Sequence, residues 1–126
     1  MHAVVETPTF LADAKSAGVT DEERAAIVLG IASDPAAGDV IPGTGGLRKV
    51  RIAGKGRGKS GGDRVISYYA AADVPVFLLA LVSKGQRADI SQAERNVLRT
   101  VVATLAEAYR QGVAGRIREA GSSSRD

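Results

Sequence analysis

An α+β domain is the fold class this sequence predicts, and three observations carry it. Helix-start signals stand near both ends of the chain, runs of strand character fill the middle, and 126 residues suit a single domain. The expected order is two N-terminal helices, a small twisted antiparallel sheet of three to four strands, and a C-terminal helix. A chain of this length buries roughly two thirds of its unfolded surface, so its core needs no covalent staples.

Val4-Val5 reads as a short opening strand. Thr7-Pro8 then places an N-cap before a proline at the first helical position, and Phe10, Leu11 and Ala14 follow on one face. Gly18 ends that helix. Thr20-Asp21-Glu22-Glu23 fits a capping box, with three acids in the first turn to complement the helix dipole. Ile27, Val28 and Ile31 give the second helix its apolar stripe, and Asp34-Pro35 stops it. Gly38 to Gly46 is expected to be loop.

Leu47 to Ile52 alternates as a strand, with Arg48/Val50/Ile52 on one face and Leu47/Lys49/Arg51 on the other. Arg64 to Tyr69 and Val74 to Val82 are the next two strands. The last is apolar throughout, as expected of a strand covered on both faces, with Pro75 near its start. Ser91-Gln92-Ala93-Glu94 forms a second capping box, and Val97, Leu98, Val101, Val102, Leu105 and Tyr109 recur at helical spacing. Gly112 and Gly115 weaken the continuation. Residues 1–112 are therefore expected to form the domain, and 113–126 a frayed or disordered tail.

Composition narrows the chemistry. The chain has no cysteine and a single histidine, His2, so disulfides, thiolate nucleophiles and cysteine zinc sites are excluded. No metal site and no cofactor is expected. No apolar run is long enough to span a membrane, and Glu6 and Pro8 interrupt what a signal peptide would need, so the expected location is the cytoplasm.

The net charge of +3 is unevenly spread. Residues 1–40 hold two basic groups against seven acids, a net of −5. Residues 41–64 hold seven (Arg48, Lys49, Arg51, Lys55, Arg57, Lys59, Arg64) against Asp63 alone, a net of +6. Such a concentrated field attracts a polyanion, although a solvated basic loop would look the same in sequence. Within this stretch, Ala53-Gly54-Lys55-Gly56-Arg57-Gly58-Lys59-Ser60 resembles a relaxed Walker A loop. That motif works by opening a helix, whose N–H groups cradle phosphate. Here Arg64-Val65-Ile66-Ser67-Tyr68-Tyr69 follows, rich in β-branched and aromatic residues, so the loop reads as a hairpin connection. Its exposed N–H groups and cations can still grip a phosphodiester backbone.

Folding the first two long strands around that loop sets Arg51 opposite or close to Arg64. A second turn near Ala70–Asp73 would bring Arg64 near Leu79 and Lys84 near Lys59. Lys84, Arg64, Arg51 and Lys59 then gather at one end of the sheet. Cations so close repel one another and depress neighbouring Lys pKa values, an arrangement that makes sense when an anion sits among them. The alternative is structural, with Arg48 or Arg64 paired to Asp63 or to an acid of the first helices.

Several ordered segments resemble RelE/HigB-type toxins of type II toxin–antitoxin systems. They are Glu6-Thr7-Pro8-Thr9-Phe10; Gly38-Asp39-Val40-Ile41-Pro42-Gly43-Thr44-Gly45-Gly46 followed by Leu47-Arg48-Lys49-Val50-Arg51; Gly56 to Gly62 with Arg64-Val65-Ile66; and Asp89-Ile90-Ser91 with Ala93-Glu94. The resemblance spans about residues 4–110. It implies a microbial-RNase-like fold, cleavage of mRNA on the ribosome, and a helix-turn-helix antitoxin that masks the basic face, with operator DNA as a target of the complex. It implies Arg51, Lys59, Arg64 and Lys84 as catalytic groups. Lys55 and Arg57 would grip phosphate, with Arg48, Lys49 and Tyr68 as further RNA contacts. Family members often carry an aromatic ring where this chain has Ile52, Ser67 and Val82, and an acid where it has Gln86.

RNA can be cut by its own 2′-hydroxyl, given a base, charge stabilisation on the phosphate and a proton for the leaving oxygen. A Lys whose pKa is lowered by neighbouring cations can be that base, which fits Lys59 or Lys84, with Arg64 clamping the phosphate and Arg51 supporting it. Bases could stack on Tyr68 or Tyr69, or those rings could simply pack the sheet. Three rival readings remain: a ParE-like gyrase poison, a non-enzymatic nucleic-acid-binding module, and a degenerate toxin that still binds antitoxin.

Overall fold

The computed structural model describes residues 1–52, 62–83 and 90–124, with side chains through Gly112. The elements are β1 (Val4–Glu6), α1 (Pro8–Ser16), α2 (Asp21–Ser33), β2 (Asp39–Val40), β3 (Leu47–Ile52), β4 (Asp63–Tyr68), β5 (Val76–Ser83) and α3 (Gln92–Ser124). The α+β class holds.

Local chemistry sets the helix starts. Thr7 caps α1 through its side chain to the Phe10 N–H, with Pro8 at the first helical position. Thr20 and Glu23 close a reciprocal capping box on α2, at 2.8 and 3.1 Å. Ser91 and Glu94 do the same for α3, at the same two distances. Each box satisfies N–H groups that a helix end leaves without partners.

The sheet has five strands in the order β1-β5-β4-β3-β2. It is mixed, not the expected three or four antiparallel strands. β1 pairs parallel with β5, Val4 to Val76 through Glu6 to Leu78. β2 rises out of the expected loop to pair with Arg48 and Lys49 of β3. Gly38 makes that approach possible: its φ is +89°, and a Cβ there would meet the Lys49 carbonyl oxygen at 2.5 Å.

Helices cover both faces. On one, α1 and α2 bury Phe10, Ala14, Ile27 and Ile31 against Val65, Val76, Leu78 and Leu81. On the other, Leu98, Val102, Leu105 and Tyr109 of α3 pack with Leu47, Ile66, Phe77, Leu79 and Val82. β5 feeds both layers, and this explains its unbroken apolar run. Midway along its length α3 is pinned by Arg110, which donates to both Asp73 oxygens at 2.7 and 2.8 Å, and by the edge-to-face contact of Tyr109 with Phe77. His2 belongs to the frame: its Nε2 lies 2.7 Å from the Val74 carbonyl oxygen and its ring meets Tyr69 edge-on.

Candidate functional site

Strand alternation sorts the basic residues of β3. Leu47 joins the α3-side core and Val50 and Ile52 the α1/α2 side, so Lys49 and Arg51 project on the α3 face and Arg48 on the other. On β4, Ile66 packs to the α3 side and Val65 to the opposite one, so Arg64 shares the face of Arg51. The register pairs Arg51 directly with Arg64. The expected juxtaposition of these two arginines therefore exists.

Directly opposed residues on one sheet face hold their Cβ atoms about 4.5–5.5 Å apart, and like charges so placed are destabilising. Arg51 is exposed and Arg64 half-buried. Among the described residues, no ion pair and no side-chain hydrogen bond engages either one. Asp63, the acid next to Arg64, is buried and alternates to the other face, in the row of Ile52 and Ser83. Lys49 adds a third cation on the arginine face, opposite Ile66.

The β4–β5 register differs from expectation. Arg64 stands against Val82 and not near Leu79. The connection runs from Tyr69 to Pro75, longer than the turn at Ala70–Asp73, and a register shift at Ile66/Ser67 adds to the offset. The cross-strand neighbour of the arginine pair is thus a fully buried valine.

Arg48 lies apart from the cluster. Its guanidinium donates to the carbonyls of Ala36 and Gly38 at 3.0 and 3.2 Å, tying β3 to the segment that leads into β2. Tyr68 lies in the row of Leu47 and Phe77, packs against the α3-side core and sits beside Gly46. It stands four residue steps along the strand from Arg64, roughly 13 Å. Tyr69 packs on the α1/α2 side. Lys55, Arg57, Lys59 and Lys84 lie outside the described residues. Their segments depart from Ile52 and Ser83 and the first returns before Asp63, at the arginine end of the sheet.

The Arg110 hydrogen bonds hold the Asp73 carboxyl below the usual range, and Asp73 in turn raises Arg110. Among the described residues, no three His, Asp or Glu side chains gather as a metal site would require, and no helix is long and apolar enough to cross a membrane. A cavity between α2 and β3, bordered on the strand by Val50, Arg51 and Ile52, was not anticipated. The signal for it was the lack of charge in α2 after Arg24.

A comparison with protein families matches residues 3–121 to the model described as "RelE toxin of RelE / RelB toxin-antitoxin system". The match covers both faces of the sheet, the arginine pair and all three helix starts.

Proposed function

The chain belongs to the RelE toxin family of toxin–antitoxin systems, and from that membership we propose that it is an endoribonuclease cleaving mRNA on the ribosome with Lys and Arg side chains. The observation that carries the reading is the Arg51–Arg64 pair, two opposed guanidinium groups engaged by no acid among the described residues. A phosphodiester seated between them removes their repulsion and is held by charge-assisted hydrogen bonds.

In the proposed reaction the RNA 2′-oxygen forms a bond to the adjacent phosphorus and the bond to the 5′-oxygen breaks. The products are a 2′,3′-cyclic phosphate and a 5′-hydroxyl. Lys59 or Lys84 accepts the 2′-hydroxyl proton, and a second protonated group returns one to the leaving oxygen. Arg64 and Arg51 stabilise the charge that develops on the phosphate oxygens. Lys49, Lys55 and Arg57 extend the phosphate-binding track. The antitoxin silences the enzyme by covering this face.

The test is inducible expression in a bacterial host of the wild type and of an Arg64→Ala/Lys59→Ala double variant, with mRNA 5′ ends mapped within minutes. New in-frame cleavage sites, absent in the double variant, are the expected result. Growth arrest without new ends would overturn the nuclease reading in favour of a gyrase-type or binding toxin. Absence of arrest would point to a degenerate toxin.

A further inference from the structure

Every aromatic ring of Phe or Tyr in this chain is committed to the frame. The sequence has two Phe, three Tyr and no Trp. Phe10 is fully buried, Phe77 meets Tyr109, Tyr69 meets His2, and Tyr68 packs beside Gly46. None of the five, all of them described residues, stands at the arginine end of the sheet with a free ring face. Proteins ordinarily hold an unpaired base of single-stranded RNA by stacking it on such a ring. A base next to a phosphate on Arg51 and Arg64 therefore needs another apolar surface.

One lies across the edge of β3. β2 pairs only with Arg48 and Lys49, so no strand flanks Val50, Arg51 and Ile52 on that side among the described residues. These three border a cavity of about 370 Å³, and Val19, Ala26, Ile27 and Gly30 form its other wall. Both walls are mainly aliphatic, because α2 carries no charged side chain from Ala25 to Ser33. The volume falls within the range of about 300–1,000 Å³ typical of small-molecule sites. Of the two opposed arginines, Arg51 borders the cavity and Arg64 does not. Glu23 lines it too, with its carboxylate engaged in the α2 capping box. Asp34 lines it at the C-terminal end of α2. An ionised carboxylate accepts hydrogen bonds and donates none. At this rim it repels a phosphate and suits an exocyclic amino group, so it favours amino-bearing bases over uracil.

We propose that the α2/β3 cavity is a nucleobase pocket. The RNA strand crosses the open edge of β3 at Arg51, its phosphate stays with the arginine pair, and an adjacent base enters between α2 and β3 with its amino group toward Asp34. This rests on the RNA-binding reading of the arginine pair and gives that site a base preference, adenine or cytosine over uracil.

The experiment measures fluorescence anisotropy of labelled short oligouridines, with and without one central adenosine or cytidine. Their 2′-oxygens are methylated so that no cleavage intervenes. They are titrated against the full-length wild type, Gly30→Leu, Asp34→Asn and Arg64→Ala. A Cβ on Gly30 meets nothing within 4 Å, so Leu is accommodated by the helix and fills the cavity mouth. A thermal melt is expected to show that variant at least as stable as the wild type. The wild type is expected to bind the adenosine and cytidine strands about tenfold more tightly than plain oligouridine. Gly30→Leu should abolish that preference and leave oligouridine affinity unchanged. Asp34→Asn, whose amide also donates, should narrow it. Arg64→Ala should weaken all three strands alike and preserve the ratio. The pocket is overturned if the wild type shows no base preference, if Gly30→Leu keeps it, or if Gly30→Leu weakens every strand equally. Sedimentation showing a wild-type dimer that Gly30→Leu dissolves would overturn it in favour of self-association. A wild type that binds none of the strands would overturn the RNA reading and the pocket with it. Binding that Arg64→Ala weakens but that ignores the base would overturn the pocket alone.

Discussion

Asp13 shows how a single side chain closes a gap in the sheet. β1 covers β5 only from Val76 to Leu78. Beyond it Thr7 takes over, its N–H and hydroxyl both donating to the Leu78 carbonyl oxygen at 3.2 and 2.7 Å. Asp13 of α1 then accepts the Leu81 N–H through Oδ2 at 3.0 Å. Leu81 is buried, and without that acceptor its N–H would lie beneath α1 with its desolvation uncompensated. Asp13→Ala is therefore expected to cost about 1–3 kcal/mol, read as a lowered midpoint in urea, with Asp13→Asn recovering most of the loss through its amide oxygen. An equal loss in both variants would show that the charge, not the acceptor, matters. In the sequence Asp13 was one acid among seven in the first forty residues, because a helix-to-sheet bond of this span leaves no local signature.

At the level of elements, the β3–β4 hairpin sets function against stability. Opposing Arg51 to Arg64 works against the fold, so Arg51→Thr is expected to raise stability by about 0.2–1 kcal/mol while weakening RNA binding. A denaturation midpoint that fell would mean the pair contributes packing that outweighs its repulsion. This pairing was legible because strand alternation and the hairpin loop fix the register together. The β4–β5 register was not, since a longer connection and an irregularity at Ile66/Ser67 displace it. Nor was the parallel partnership of β1 with β5, whose strands lie some seventy residues apart, or β2, too short to show a period. The capping boxes at Thr20 and Ser91 were fully local, and both formed. Midway along α3, the Asp73–Arg110 pair makes a pH-dependent tether. Because Asp73 is held below its ordinary pKa, its contribution is present above the unfolded value and lost as pH falls through the folded one. The pair is exposed, so Asp73→Asn is expected to lower the melting temperature only slightly near neutrality. That difference should vanish in acid and in high salt. A large difference persisting in acid would assign the stabilisation to something other than the charge.

Across the whole molecule, charge is polarised. The first forty residues are net −5 and residues 41–64 net +6, and the fold keeps much of this division visible, with Glu23 and Asp34 beside α2 and Lys49 and Arg64 on the α3 face; Arg51 shares that face by alternation and also borders the α2 cavity. A polyanion should therefore engage one side of the protein, and its binding should be dominated by release of counterions. The logarithm of the RNA association constant is expected to fall linearly with the logarithm of salt concentration, by about 0.7 per single-strand phosphate contacted. Arg51→Ala and Arg64→Ala should each flatten that slope by about one contact's worth and weaken binding similarly across RNA sequences, because phosphate contacts carry no base information. Gly30→Leu, on the other face, should leave the slope unchanged. Measured by filter binding with a short single-stranded RNA, an unaltered slope in Arg64→Ala would mean that this arginine holds no phosphate. The cations of the basic loop would then have to account for RNA binding without the strand pair. A slope flattened equally by Arg51→Ala, Arg64→Ala and Gly30→Leu would mean instead that RNA wraps the molecule and that its polarity does not select the binding face.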